Sequence, residues 1–183
     1  MMTAAHGAFW TWSLEHYAQD GVEPLVLRLQ DEVGLDVNIA FWSCWCATLF
    51  DPVPTLVLRN AMALTSSWST KVTTPLRTAR RHLKSSNSLP SDHQGAALLR
   101  AAIKENELTA EKIEQEILEN LALAKLVPVA SDHDDVCNRA IKNLKAYAAL
   151  GSAKQRAGHT ISLLESFAHH IFTNTPQDAD LKG

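Results

Sequence analysis

The sequence predicts an all-α protein: a single bundle of about six to eight helices around a buried, Trp-rich central helix, with one long Glu-rich helix. Three observations lead there. Apolar residues recur at steps of three, four and seven through most of the chain, the period of one helix face. Glycine and proline fall where such segments stop and restart, as helix ends and first turns require. No alternating run of β-branched residues bounded by turn signals occurs. The best strand candidate, Thr55-Leu56-Val57-Leu58, serves equally well as a helix start.

A first helix is expected over 8–20, with Trp10, Leu14 and Tyr17 at helical spacing and Phe9 and Trp12 forming a second aromatic edge. Gly21 suits a helix C-terminus, and Pro24 can open the second helix, whose inner face is Leu25, Leu29 and Val33 with Val26 beside it. Gly34 closes it. Asp36 is placed to N-cap a third helix in which Val37, Ile39, Ala40, Phe41, Trp42, Cys44, Trp45, Cys46, Ala47, Leu49 and Phe50 leave no polar stripe. A helix apolar all round is buried on all sides, and this one falls short of the roughly 20 residues that span a bilayer.

Pro52 and Pro54 break that helix. A fourth is expected over about 55–68 with Leu56, Arg59, Met62 and Ala63, weakened at its end by Ser66, Ser67, Ser69 and Thr70. Thr74-Pro75 reads as the cap and first residue of a fifth, with Leu76, Ala79 and Leu83 inside and Arg77, Arg80, Arg81 and Lys84 outside. After a loop over 85–90, Ser91 caps a long helix reaching about residue 126. Its stripe is Leu99, Ile103, Ala110, Ile113, Ile117, Leu121 and Ala124, with Glu105, Glu107, Glu111, Glu114, Glu116 and Glu119 covering the rest. The stripe stays in phase past Leu108-Thr109, which favours one continuous helix. Pro128 ends it. Two more helices follow: one with Val136, Ala140, Leu144 and Tyr147 inside, closed by Gly151, and one over 160–172 with Ile161, Leu164, Ala168 and Ile171.

With 183 residues the chain fits one domain, expected over 7–173 between a disordered lead (1–6) and a mobile polar tail (174–183). A chain of this size buries about 70% of its unfolded surface, so no metal or disulfide is needed to hold it together, and no cofactor is expected. The net charge of −3 provides no global attraction to nucleic acid or anionic membrane. Cys44 and Cys46 point about 200° apart on a helix, and Cys137 is remote in sequence, so no zinc site is expected. Buried reduced thiols fit a cytoplasmic protein. The start MMTAAHGAFW has neither the basic nor the apolar region of a signal peptide.

The words Phe9-Trp10-x-Trp12-Ser13-Leu14-x-x-Tyr17, Gly21-Val22, Leu29-Gln30-Asp31 and Gly34-x-Asp36-Val37-Asn38, followed by the Trp-rich helix, stand in that order over 9–47. In this order the chain resembles a family of small, uncharacterised proteobacterial proteins. The resemblance implies a helical, bacterial, cytoplasmic protein. It assigns no activity and no role to any residue.

Among candidate sites, Arg28, Gln30, Asp31, Asp36 and Asn38 gather around the second turn beside Trp42. Two carboxylates near an arginine at the edge of an apolar core can bind a ligand or exchange protons. Ordinary structural roles are open to the same residues, with Asp36 as a cap, Arg28 paired with Asp31 or Glu32, and Asn38 bonding backbone N–H groups. The Asp31–Asp36 spacing lacks the DDxxD pattern that holds magnesium in helical prenyl-diphosphate enzymes. Arg77, Arg80, Arg81 and Lys84, with Lys71 and His82 nearby, form a basic face suited to an anion or an acidic partner. Without interleaved aromatics it does not indicate base stacking, and Glu105 and Glu107 across a helical hairpin are natural partners for it.

Asp132-His133-Asp134-Asp135 is one consecutive run that cannot converge on an ion alone, and the adjacent His169 and His170 diverge on a helix. Trp10, Trp12, Trp42, Trp45 and Trp68 can line an apolar pocket, although core packing is their commoner use. No phosphate loop, nucleophile elbow or metalloprotease motif occurs, so no catalytic residue is assigned. The expected function is therefore non-catalytic: a helical binding or regulatory protein with a protein partner, or a homodimer through the Glu-rich helix. The alternative is a small-ligand binder or enzyme with its pocket at the Arg28/Asp31/Asp36 junction.

Overall fold

A computed structural model describes residues 7–85, 94–129, 135–151 and 157–173. Among these the chain forms eight α-helices: α1 (Ala8–Tyr17), α2 (Val22–Asp31), α3 (Val37–Leu49), α4 (Thr55–Trp68), α5 (Thr74–Ser85), α6 (Gln94–Lys125), α7 (Val136–Leu150) and α8 (Ala157–Thr173). The all-α expectation holds. The expected lead (1–6), tail (174–183) and Ser91 cap lie outside the described residues.

Helix α3 is the hub, as its composition requires. Asp36 Oδ1 accepts from the N–H groups of Asn38 at 2.8 Å and Ile39 at 3.3 Å, satisfying donors that a helix start leaves open. From Ile39 to Ala47 every residue is buried. Helix α7 lies along α3 and is tied to it by polar groups. Asn143 Nδ2 donates to the Ser43 carbonyl at 3.0 Å, while its Oδ1 accepts from the Val53 N–H at 2.9 Å. Arg139, fully buried, donates through Nε to the Ala47 carbonyl at 2.9 Å, where α3 presents its negative dipole end. Phe41 meets Phe167 of α8 edge-on, with ring centroids 5.3 Å apart. Past α3, Phe50 and Pro128 form an isolated antiparallel bridge, the only pairing of that kind among the described residues.

The expected restart at Thr74-Pro75 is replaced by continuity. The backbone stays helical from α4 through a π-helical turn, Ser69–Thr73, into α5, and Thr74 has helical dihedrals. Proline inside an α-helix lacks a donor and strikes the carbonyl four residues back. A π turn just before Pro75 widens the backbone there and accommodates it.

Helix α6 is one continuous helix, as expected, but turned about its axis relative to the expected orientation. Its buried face carries Glu107, Ala110, Glu114, Gln115, Leu118, Glu119 and Ala122, whereas Leu99 and Ile113 are 53% and 37% exposed. Tertiary partners decide this: arginines from α5 and polar groups from α1 and α3 meet the carboxylate side. Glu119 Oε2, for example, accepts from the Phe9 N–H at 3.2 Å and so caps α1, whose own N-cap Gly7 has no side chain to offer.

Smaller rotations follow the same logic. In α1 the buried residues are Phe9, Ser13 and His16 while Leu14 and Tyr17 are exposed, because aromatics on two sides of a short helix leave its facing undecided. In α4 Val57, Leu58, Ala61 and Thr65 face inward and Leu56 is exposed. In α8 Leu164, Ala168 and Ile171 are buried as expected, and Ile161 is exposed.

Candidate functional site

A polar layer crosses the bundle at the start of α3. Ser13 Oγ (α1) donates to Gln115 Oε1 (α6) at 2.8 Å, and Gln115 Nε2 donates to Asn38 Oδ1 (α3) at 2.9 Å. The Asn38 N–H meets Asp36, whose own N–H donates to the Tyr147 hydroxyl (α7) at 2.8 Å. Four helices therefore converge on the turn after Gly34. Trp42 Nε1 adds a bond to the Leu118 carbonyl at 2.8 Å, and Trp68 Nε1 one to the Ala110 carbonyl at 2.9 Å. The ring N–H groups thus hold α3 and α4 against α6, and burial of the rings is compatible with full hydrogen bonding.

Next to this layer stands a cluster of charge. Arg77 Nε donates to Glu107 Oε1 at 2.8 Å and its Nη2 to Glu111 Oε1 at 2.9 Å, while Arg80 Nε donates to Glu107 Oε2. Burial opposes ionisation of Glu107, yet the bonds from Arg80 and Arg77 outweigh it and hold its carboxyl below the usual range. Burial raises Glu111. Glu114 lies deeper, 2% exposed, with Oε1 lacking a hydrogen-bond partner. Burial, then the charge of Asp36, pushes its carboxyl up to about 8, so it is largely protonated at neutral pH. Burial raises Asp36 too, against the two backbone N–H groups and Arg77.

A cleft of about 270 Å³ opens on this junction, lined by Asp36, Tyr147, Ile39, Met62 and Gly34 together with the hydroxyl-bearing Thr65, Ser66, Ser69 and Thr70. Ser69 and Thr70 belong to the π turn, an irregularity common at binding sites. Burial and the Asp36 charge raise Tyr147, so its hydroxyl stays protonated and can donate as well as accept.

The residues singled out from sequence separate into groups. Asp36 lines the cleft, Asn38 belongs to the polar layer behind it, and Trp42 is fully buried in the core. Arg28 turns away to pair with Glu32 at 2.9 Å, and His159 Nε2 approaches the same carboxylate at 2.7 Å. Gln30 and Asp31 are exposed. Arg77 and Arg80 face α6, while Arg81 and Lys84 lie on the exposed side of α5. Asp135 caps α7 by accepting from the Cys137 N–H at 3.0 Å; 132–134 lie outside the described residues. His169 Nδ1 is 3.3 Å from Cys137 Sγ, and His170 bonds the Asp20 carbonyl. Among the described residues no group of three His, Cys, Asp or Glu side chains is placed to hold a metal ion, and no helix is long and apolar enough to cross a membrane.

The sequence offered Glu105 and Glu107 as partners of the basic face, and Glu107 does hold Arg77 and Arg80; Glu111, Glu114, Gln115 and Tyr147 were missed as site residues. One signal was available for the first three: with 107, positions 111, 114 and 115 repeat at the spacing of a single helix face. Tyr147 had none, being 111 residues from the Asp36 N–H it meets.

A family model described as "Protein of unknown function (DUF2390)" matches residues 8–118, a span that contains the cleft apart from Tyr147 and both sides of the charge cluster. No curated protein and no solved structure matches the chain.

Proposed function

We propose, for a chain that belongs to the DUF2390 family of proteins of unknown function, a non-catalytic helical protein that binds a small polar molecule in the cleft beside Asp36. The observation behind the reading is a carboxylate, half-withdrawn from water, forming one wall of a cleft whose other walls carry a phenol and four aliphatic hydroxyls. Such a mixture of apolar surface and a few convergent polar groups is what small-ligand sites use. The expected protein partner loses its main motive, because the opposed charges of α5 and α6 are joined to one another within the chain. A bacterial cytoplasmic location is part of the proposal, supported by three buried cysteines that form no disulfide.

Native mass spectrometry of protein drawn gently from its own cells tests the reading. A bound small molecule should accompany the wild type and be absent from Ser66→Phe, which fills the cleft from an exposed helix position. Wild-type protein that never carries such a mass would sink it.

The incompletely covered stripe Leu99, Ile103, Ile113 and Ile117, which stands apart from the residues packed on the core, favours a second reading, association of two copies through α6. Light scattering should then give a dimer mass that Ile113→Glu halves. A monomer mass for the wild type removes this reading.

A further inference from the structure

We propose that the cleft selects a small organic cation, a protonated primary amine bearing a hydroxyl or a second amine, with Asp36 as its counter-ion. The inference rests on the ligand-binding reading and adds the charge and class of the ligand.

The lining contains Asp36 and no lysine, arginine or histidine. Behind it, Asp36, Glu107 and Glu111 stand against Arg77 and Arg80, and both guanidiniums are engaged by Glu107 and Glu111. The junction is therefore short of positive charge. An anion entering the cleft is opposed by the charge of Asp36. A cation supplies what the junction lacks.

The hydrogen-bond inventory points the same way. An ammonium has three donors and no acceptor. It needs a wall of oxygens, and Asp36, Tyr147, Thr65, Ser66, Ser69 and Thr70 provide one. Ile39 and Met62 offer apolar contact for a short carbon chain. The volume, about 270 Å³, is under the roughly 300–1,000 Å³ of drug-sized ligand pockets, which limits the ligand to a few carbons.

Isothermal titration of the full chain at about pH 7.5, where aliphatic amines are protonated, compares ethanolamine and putrescine with ethylene glycol and glycolate. Both amines should bind, ethylene glycol about tenfold more weakly or worse, and glycolate not at all. Asp36→Asn, which keeps the helix cap, should weaken amine binding about tenfold or more with the circular dichroism unchanged. Tyr147→Phe should weaken it less, and the remote Glu15→Gln not at all. Amine binding that survives Asp36→Asn, glycolate binding as tight as that of ethanolamine, or no amine binding overturns the proposal. If ethylene glycol or glycolate binds as tightly as the amines and Ser66→Phe abolishes that binding, the amine class falls while the ligand-binding reading stands. If no probe binds and no Ser66→Phe-sensitive mass is found, both fall.

Discussion

Arg77 spans successive turns of α6, bonding Glu107 through Nε at 2.8 Å and Glu111 through Nη2 at 2.9 Å. Glu107, 6% exposed, is held by Arg80 as well. The α5–α6 hairpin is thus closed by charges on the buried side of α6, while the expected apolar stripe of that helix lies to the flank. Helices that expose their apolar edge and bury their acids need strong pairing to stay in register.

Glu107→Gln should therefore destabilise the protein by about 1–3 kcal/mol at neutral pH, leaving Arg77 and Arg80 facing a neutral amide. The sign with pH follows from the depressed carboxyl. Its contribution is complete above the unfolded value of 4.5 and is lost as pH falls through the lower folded value. Urea melts should show the gap between wild type and variant closing in acid. A gap that persists unchanged at about pH 2 would mean the ion pairs contribute nothing.

Glu114 behaves oppositely. Its folded value of about 8 lies above the ordinary 4.5, so the folded state holds a proton that the unfolded state releases across this window. Its contribution is intact below the unfolded value and declines by up to about 1.4 kcal/mol per pH unit up to the folded one. Glu114→Gln keeps the shape of the protonated acid. It should match the wild type near pH 5 and exceed it by roughly 2–4 kcal/mol near pH 9. Equal stabilities at both ends would show the carboxyl to be ordinary.

Most of the frame could be read from local chemistry. Asp36, Gly34 and the prolines act on their immediate neighbours, so the helix boundaries around α3 are legible, and so is the burial of a segment with no polar stripe. What could not be read depends on residues far apart. In α6 the apolar stripe and the glutamate stripe share one helical period, and hydropathy alone selects the apolar one. The arginines of α5, about thirty residues earlier, select the other. The partnership of Asp36 with Tyr147 has no local trace, and Ser69 and Thr70 reach the cleft from the π turn that precedes Pro75.

Asp36 has two separable duties, cap and cleft wall. Asn caps about as well as Asp, and Ala does not cap. Asp36→Asn should change stability by less than about 0.5 kcal/mol, whereas Asp36→Ala should cost about 1–2 kcal/mol. Thermal unfolding of the two variants distinguishes the duties. A large loss in the Asn variant would mean that the carboxylate's charge, beyond its capping bonds, holds the fold.

Gly21 and Gly34 both have positive φ, +83° and +74°, yet their surroundings differ. A Cβ on Gly34 meets nothing within 4 Å, whereas one on Gly21 falls 2.7 Å from His170 Nε2. That ring is anchored by its bond to the Asp20 carbonyl. Gly34→Ala should cost about 1 kcal/mol of backbone strain. Gly21→Ala should cost about 2–3 kcal/mol, strain and collision together. Removing the ring separates the two parts: in His170→Ala the added cost of Gly21→Ala should fall to that of Gly34→Ala, a coupling of about 1–2 kcal/mol in a double-mutant cycle. With no coupling, the histidine swings clear and the glycine is required for its backbone alone.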